Sequence, residues 1–205
     1  MLSNYAMIIR MTQRPRAMRR ILPGILTILL GFSGRTLSQE SAGAAPALSG
    51  DALMREALLA HNRERKKVGV QDLAWDADLA KLAQDWARHL CTLGGGRGGK
   101  KMPTLIHRKV RTGGPGENLW EGITTEATAF SISDAVKAWA DERQYFDESS
   151  GSCRSGVCGH YTQLVWRATT HVGCGAATCP AAGMLATIWA CNYSPAGNFL
   201  GERPY

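Results

Sequence analysis

Six cysteines, an even count, in a chain of 205 residues constrain this sequence more than any other feature. Whether such thiols are metal ligands, redox centres or staples depends on the compartment, and the N-terminus bears on that. Residues 1–38 hold Arg10, Arg14, Arg16, Arg19, Arg20 and Arg35 and no acid, with an apolar run at 21–32 followed by small residues. That is the layout of a secretory signal. The run is too short for a membrane span and contains Pro23 and Gly24. We read residues 1–38 as a signal peptide, with small residues suited to cleavage near 31–33, 36–38 and 42–44, and residues 39–50 as a flexible Ser/Ala/Gly-rich leader. The destination is extracellular, or periplasmic in a bacterium. No CxxC occurs, so zinc-ribbon and thioredoxin readings fall away and disulfides remain.

The leader also explains the charge. The whole chain carries +7, which on its face suits a nucleic-acid partner. Removing the six leader arginines from the 24 basic residues leaves 18 against 17 acids, a net +1. No nucleic-acid partner follows, and no membrane span in the mature form. Hydrophobic content of 44% with 20% charge is that of one soluble domain, here 51–205, and excludes collagen, coiled coil and disordered tails.

Within that domain Asp51 can cap a helix through Leu53, Met54, Ala57, Leu58 and His61 that ends at Gly69, with residues 63–67 as a solvated face. Asp76 can cap a second, whose stripe is Leu79, Leu82, Ala83, Trp86 and Leu90. The Gly/Lys-rich stretch 94–101 lacks phosphate-loop spacing and reads as a loop. A third helix runs from Ser131 or Ser133 through Val136, Trp139 and Tyr145, placing Glu142 beside its apolar stripe.

Toward the C-terminus the period becomes two, with Leu185, Thr187, Trp189 and Cys191 on one face and Ala186, Ile188 and Ala190 on the other. Residues 171–178 form its antiparallel partner through a turn at 180–183, a register in which Cys174 can face Cys191. Helices first and strands last make an α+β fold. The six tryptophans read as core, and the sequon at Asn192 is discounted because Pro195 follows it closely.

Four polar side chains interrupt segments that otherwise read as core or tight turn: His107, Glu117, Glu142 and His160. Two imidazoles and two carboxylates suit a divalent cation such as Zn2+, or acid–base work on a bound water. Spacing alone does not bring the four into one cavity.

GHYTQLVW at 159–166, GENLW at 116–120 and CNYSPAGN at 191–198 resemble the signature motifs of the CAP superfamily, the cysteine-rich secretory, venom-allergen and plant pathogenesis-related type, also called the SCP domain. The resemblance extends from His61 to Tyr205. It implies an α-β-α sandwich with a central, mostly antiparallel sheet flanked by helices and stapled by disulfides. It also implies a cleft lined by His107, Glu117, Glu142 and His160 that holds Zn2+ or another divalent ion, and the bridges Cys91–Cys179, Cys153–Cys158 and Cys174–Cys191. Two departures stand out: the insertion between Cys91 and His107, and Arg108 where the family commonly has Ser, which makes the cleft rim more basic.

The expected function is therefore a secreted, monomeric binding protein rather than an enzyme. Its expected ligands are a divalent metal and a small hydrophobic molecule, a sterol or fatty acid, with an extracellular protein as a further partner. The alternative is a metal-assisted hydrolase using Glu117 or Glu142 as base. Against it, no GxSxG elbow occurs and the cysteines are read as paired.

Overall fold

The computed structural model describes residues 10–12, 50–95, 101–109, 113–125 and 130–205. The stretch read from the sequence as a leader, up to residue 49, most of the stretch read as a signal and most of the glycine-rich stretch 94–101 lie outside them. In chain order the elements are β1 (Arg10–Thr12), α1 (Gly50–Lys67), β2 (Ala74–Trp75), α2 (Ala77–Gly95), β3 (Gly116–Thr124), α3 (Ile132–Asp141), β4 (Phe146–Asp147), β5 (Ser152–Cys153), α4 (Gly159–Leu164), β6 (His171–Ala181) and β7 (Met184–Ser194), with a 3-10 turn at Glu142–Tyr145. Strands run β1-β3-β7-β6-β2. The three long ones are antiparallel, while the two short outer ones pair in parallel. β1 lies within the segment that reads as an export signal.

The β6–β7 hairpin follows the period-two pattern. Ala182 and Gly183 form a two-residue turn with positive φ at both positions, +50° and +81°, and Cys174 stands opposite Cys191. Pro180 belongs to β6 rather than to the turn. It shares the phase of Cys174, whose Cα lies 4.1 Å from that of Cys191, the close spacing of a pair not joined by backbone bonds. The missing N–H of Pro180 therefore points away from β7, and β2 reaches only as far as Val172 on that side.

Both faces of β7 are covered, so its alternation sorts side chains between two cores instead of between core and water. Trp189, Cys191 and Tyr193 join Trp120, Val172 and Cys174 beneath α1, α3 and α4. Ile188 and Ala190 join Leu119 beneath Ala83, Ala87 and Leu90 of α2. The result is the expected α-β-α sandwich. α2 lies directly on β6, since a Cβ at Gly173 or Gly175 would strike its backbone. Consequently Leu82, expected in the buried stripe, is 37% exposed, and Ala87 takes its place.

Two helix starts follow the side chains that can cap them, whereas α1 begins at Gly50 and Asp51, expected as its cap, lies inside its first turn. Asp76 Oδ1 accepts from the amides of Asp78 and Leu79 at 2.8 and 2.9 Å. Ser131 and Asp134 exchange a capping box at the start of α3. The end of α1 departs from expectation in part: Arg63, Lys66 and Lys67 are exposed as expected for a solvated face, but Glu64 and Arg65 are buried. Arg65 is fully buried, donating from Nε to Gln71 O and from its terminal nitrogens to Leu164 O, Trp166 O and Thr169 O. It closes the C-terminal end of α4, where helix carbonyls lack partners. Burial lowers its pKa to about 10, so it keeps its charge at neutral pH. Three disulfides complete the frame: Cys91–Cys179 ties α2 to the far end of β6, Cys153–Cys158 closes the loop before α4, and Cys174–Cys191 crosses the hairpin. Among the described residues no helix is long and apolar enough to cross a membrane.

Candidate functional site

An open cavity of about 1150 Å³ lies where β3 begins and β7 ends, and His107, Glu117 and His160 line it. Glu142, the fourth expected member, stands behind His160. The chain approaches itself closely here. A Cβ at Gly116 would collide with Gln163, whose Oε1 accepts from Gly197 N at 2.9 Å and braces the 195–204 segment against α4.

His160 occupies the first turn of α4, a six-residue helix whose N-cap, Cys158, offers no side-chain hydrogen bond. Glu142 supplies that function. Its Oε2 accepts from His160 N at 3.0 Å and Tyr161 N at 3.3 Å, while Oε1 accepts from His160 Nδ1 at 2.7 Å. A carboxylate at a helix N-terminus is favoured by both the free amides and the helix dipole. Trp139 stacks on the imidazole at 6.2 Å with an interplanar angle of 21°. Both partners of this Glu142–His160 contact are only 4% exposed.

His107 is held differently. It lies on the chain between α2 and β3, anchored by buried Leu105 and by Trp86 Nε1 donating to Ile106 O. Glu117 Oε1 accepts from His107 Nδ1 at 2.8 Å and from Arg108 N at 3.1 Å. The imidazole is 21% exposed. Because Glu117 pairs across the sheet with Asn192, it belongs to the face covered by α2, whereas His160 comes from the opposite helical layer. The cleft thus straddles the end of the sheet.

A polar chain that sequence reasoning missed runs through the core toward this cleft. His61 Nδ1 donates to Ala57 O at 2.7 Å, so its Nε2 accepts from Tyr193 Oη at 3.0 Å. Asn118 Nδ2 donates both to Tyr193 Oη and to His160 O. Burial lowers the His61 pKa to about 4 and raises that of Tyr193, which keeps both neutral. The available signal was positional: Asn118 shares its strand face with Trp120, where an unpaired amide would be costly.

Each glutamate, an acceptor when ionised, fixes the proton of its histidine on Nδ1 and leaves the Nε2 lone pair free. That is the arrangement by which carboxylates orient metal-binding imidazoles. The wall also contains unmatched acceptors. Glu117 Oε2 and Asn192 Oδ1 are buried with no hydrogen-bond donor. Two imidazole nitrogens without a hydrogen-bond partner line the cavity together with Glu117 Oε2, donor types that a divalent cation takes, although among the described residues no three ligand atoms of this set come within 4.8 Å of one another. Among the described residues the compact His/Cys group lies elsewhere, at His61, Cys174 and Cys191, within 4.8 Å of one another. Those two sulfurs are joined in a disulfide and His61 has both nitrogens engaged, so that group offers no thiolate and no uncommitted imidazole nitrogen.

Comparison with known proteins agrees with this architecture. A model described as the cysteine-rich secretory protein family matches residues 58–193. Pathogenesis-related protein 1A of Nicotiana tabacum is 42% identical over 147 residues, 71% of this chain and 77% of that protein. GLIPR1-like protein 1 of Bos taurus is 36% identical over 179 residues, 82% and 69% of the respective chains. Among solved structures, venom allergen-like protein 4 of Schistosoma mansoni matches with a TM-score of 0.53 and 25% identity, covering 77% of this chain and 95% of that one. With its family model spanning most of the described domain, its sandwich and its three bridges, the chain belongs to the cysteine-rich secretory protein (CAP) family.

Proposed function

We propose that this is an exported binding protein whose cleft takes a divalent cation such as Zn2+ through Nε2 of His107 and Nε2 of His160, with Glu117 and Glu142 orienting the two rings. The observation that carries this reading is the pairing of each Nδ1 with its own carboxylate. A bound cation would supply positive charge and a ligand-binding position at the cleft floor. Glu142, expected at first as a ligand or base, fits neither role well because its oxygens accept three hydrogen bonds behind His160. Glu117 keeps Oε2 uncommitted and is the residue on which a hydrolase reading would rest. The three disulfides support export. The lining residues Leu79, Leu82, Phe199 and Leu200 support an apolar portion in whatever ligand the cavity holds.

Isothermal titration of zinc into the mature domain at pH 7.5, in a phosphate-free buffer, tests the metal reading. One saturable site is expected, weakened at least ~100-fold when both His107→Ala and His160→Ala are present, since losing only the groups that orient metal-binding imidazoles already costs up to about that much. Equal binding by the double variant and the parent would sink it.

A further inference from the structure

Arg108 stands beside His107 in the lining of the cavity, and its surroundings are unlike those of the other arginines near it. Its backbone amide is committed to Glu117 Oε1. Its side chain is not. The residue is partly buried and its Nε is enclosed without a hydrogen-bond partner. Among the described residues its guanidinium makes no hydrogen bond or ion pair. By contrast Arg203, which lines the same cavity, gives its terminal nitrogens to Glu148 O at 2.9 Å and Ser149 O at 2.7 Å. Buried Arg65 is satisfied by four carbonyls.

A guanidinium partly withdrawn from water and lacking an acceptor is a poor structural element, because a desolvated charge is costly unless paired. The same group is well suited to receive an oxyanion, for which its planar fork offers paired donors. We infer that Arg108 is the anchoring residue for a phosphate group, the anionic end of a phosphorylated ligand that enters the cavity. Phosphate fits better than carboxylate because it carries more negative charge and its tetrahedral oxygens can meet both arms of the Arg108 fork. This deepens the cleft reading above, on which its location rests, but it needs no metal. The ligand is either a soluble phosphate ester or a phospholipid headgroup.

The test uses inorganic phosphate as probe, titrated calorimetrically into the metal-free domain in chelator-containing buffer, with Arg108→Ser and Arg108→Lys alongside. The Glu117 bond uses the backbone amide, so both variants should keep the parent melting temperature. The expected result is saturable phosphate binding, weakened about tenfold or more by Arg108→Ser and less by Arg108→Lys, the scale of one lost charge-assisted fork. Acetate should bind more weakly than phosphate. Zinc titration of Arg108→Ser in phosphate-free buffer should match the parent, which separates the two readings: Arg108-dependent phosphate binding with no zinc site would retain this inference and discard the metal. Vesicles of phosphatidylcholine with and without phosphatidic acid distinguish the sources. Arg108-dependent capture by the acidic vesicles indicates a headgroup, and phosphate binding without capture indicates a soluble ester. Failure of the parent to bind phosphate, or equal binding by parent and Arg108→Ser, would overturn the proposal.

Discussion

The two histidines of the cleft have the same chemistry and opposite surroundings. His160 is clamped on every side: Glu142 holds its backbone and its ring, Trp139 stacks on the ring, and Asn118 holds its carbonyl. His107 rests on one contact, with Glu117, and is five times as exposed, 21% against 4%. One Glu–His pair is therefore part of the fold, and the other is a pair that the fold merely places. The same residue types at the two positions should answer mutation in different currencies, stability at one and ligand affinity at the other.

The largest effect should come from Glu142→Ala, which strips the N-terminal end of α4 and leaves a buried imidazole N–H unmatched. We expect a loss of about 3–5 kcal/mol in urea unfolding, because three hydrogen bonds to a buried carboxylate are lost and their donors are left unmatched. Glu117→Ala should cost about 1 kcal/mol or less by the same assay, since its partner is accessible to water. Equal losses would erase the distinction between the two halves.

The next effect concerns the chain behind His160. His61 has its folded pKa lowered to about 4 from an ordinary value of 6.5, so the unfolded state binds more protons between those values. Stability should be fully present above about pH 6.5 and fall as pH drops toward 4, by about 3 kcal/mol for a shift of this size. A proton on Nε2 would also face Tyr193 with a second donor. Unfolding free energy measured from pH 7 to 4.5 checks this, and a flat profile would contradict a neutral His61.

Tyr193→Phe sharpens the same point at smaller scale. It removes the donor to His61 and one acceptor for Asn118 while conserving volume, so about 1–2 kcal/mol should be lost. Smallest in stability is Glu117→Gln, which should leave the melting temperature unchanged within error and weaken zinc binding about tenfold. A variant that melts early yet binds zinc normally would reverse the assignment of this half.

What could be read in the sequence was local. The positions of Cys174 and Cys191 around a Gly-containing turn set the hairpin register, and Asp76 and Ser131 marked helix starts by their capping chemistry. Glu142 was recognisable as an acid beside an apolar stripe. What escaped depends on partners distant in sequence. Arg65 looked solvent-facing because its four carbonyl acceptors include three some hundred residues away. Leu82 looked buried because periodicity cannot show that the glycines of β6 bring α2 down on its Ala83–Ala87 side. The division of labour between glutamates and histidines was invisible for the same reason: composition names four groups of compatible chemistry, and only folding shows which nitrogen each carboxylate takes.

That division is the central claim, and long-range proton–nitrogen correlation spectra of the 15N-histidine-labelled domain test it most directly. The chain has five histidines, at 61, 89, 107, 160 and 171. Before zinc is added, His107 and His160 should both show the tautomer protonated at Nδ1. Zinc should then move the Nε2 resonances of those two alone. Protonation at Nε2 in either ring, or a zinc response centred on His61 or absent from His107 and His160, would contradict the account.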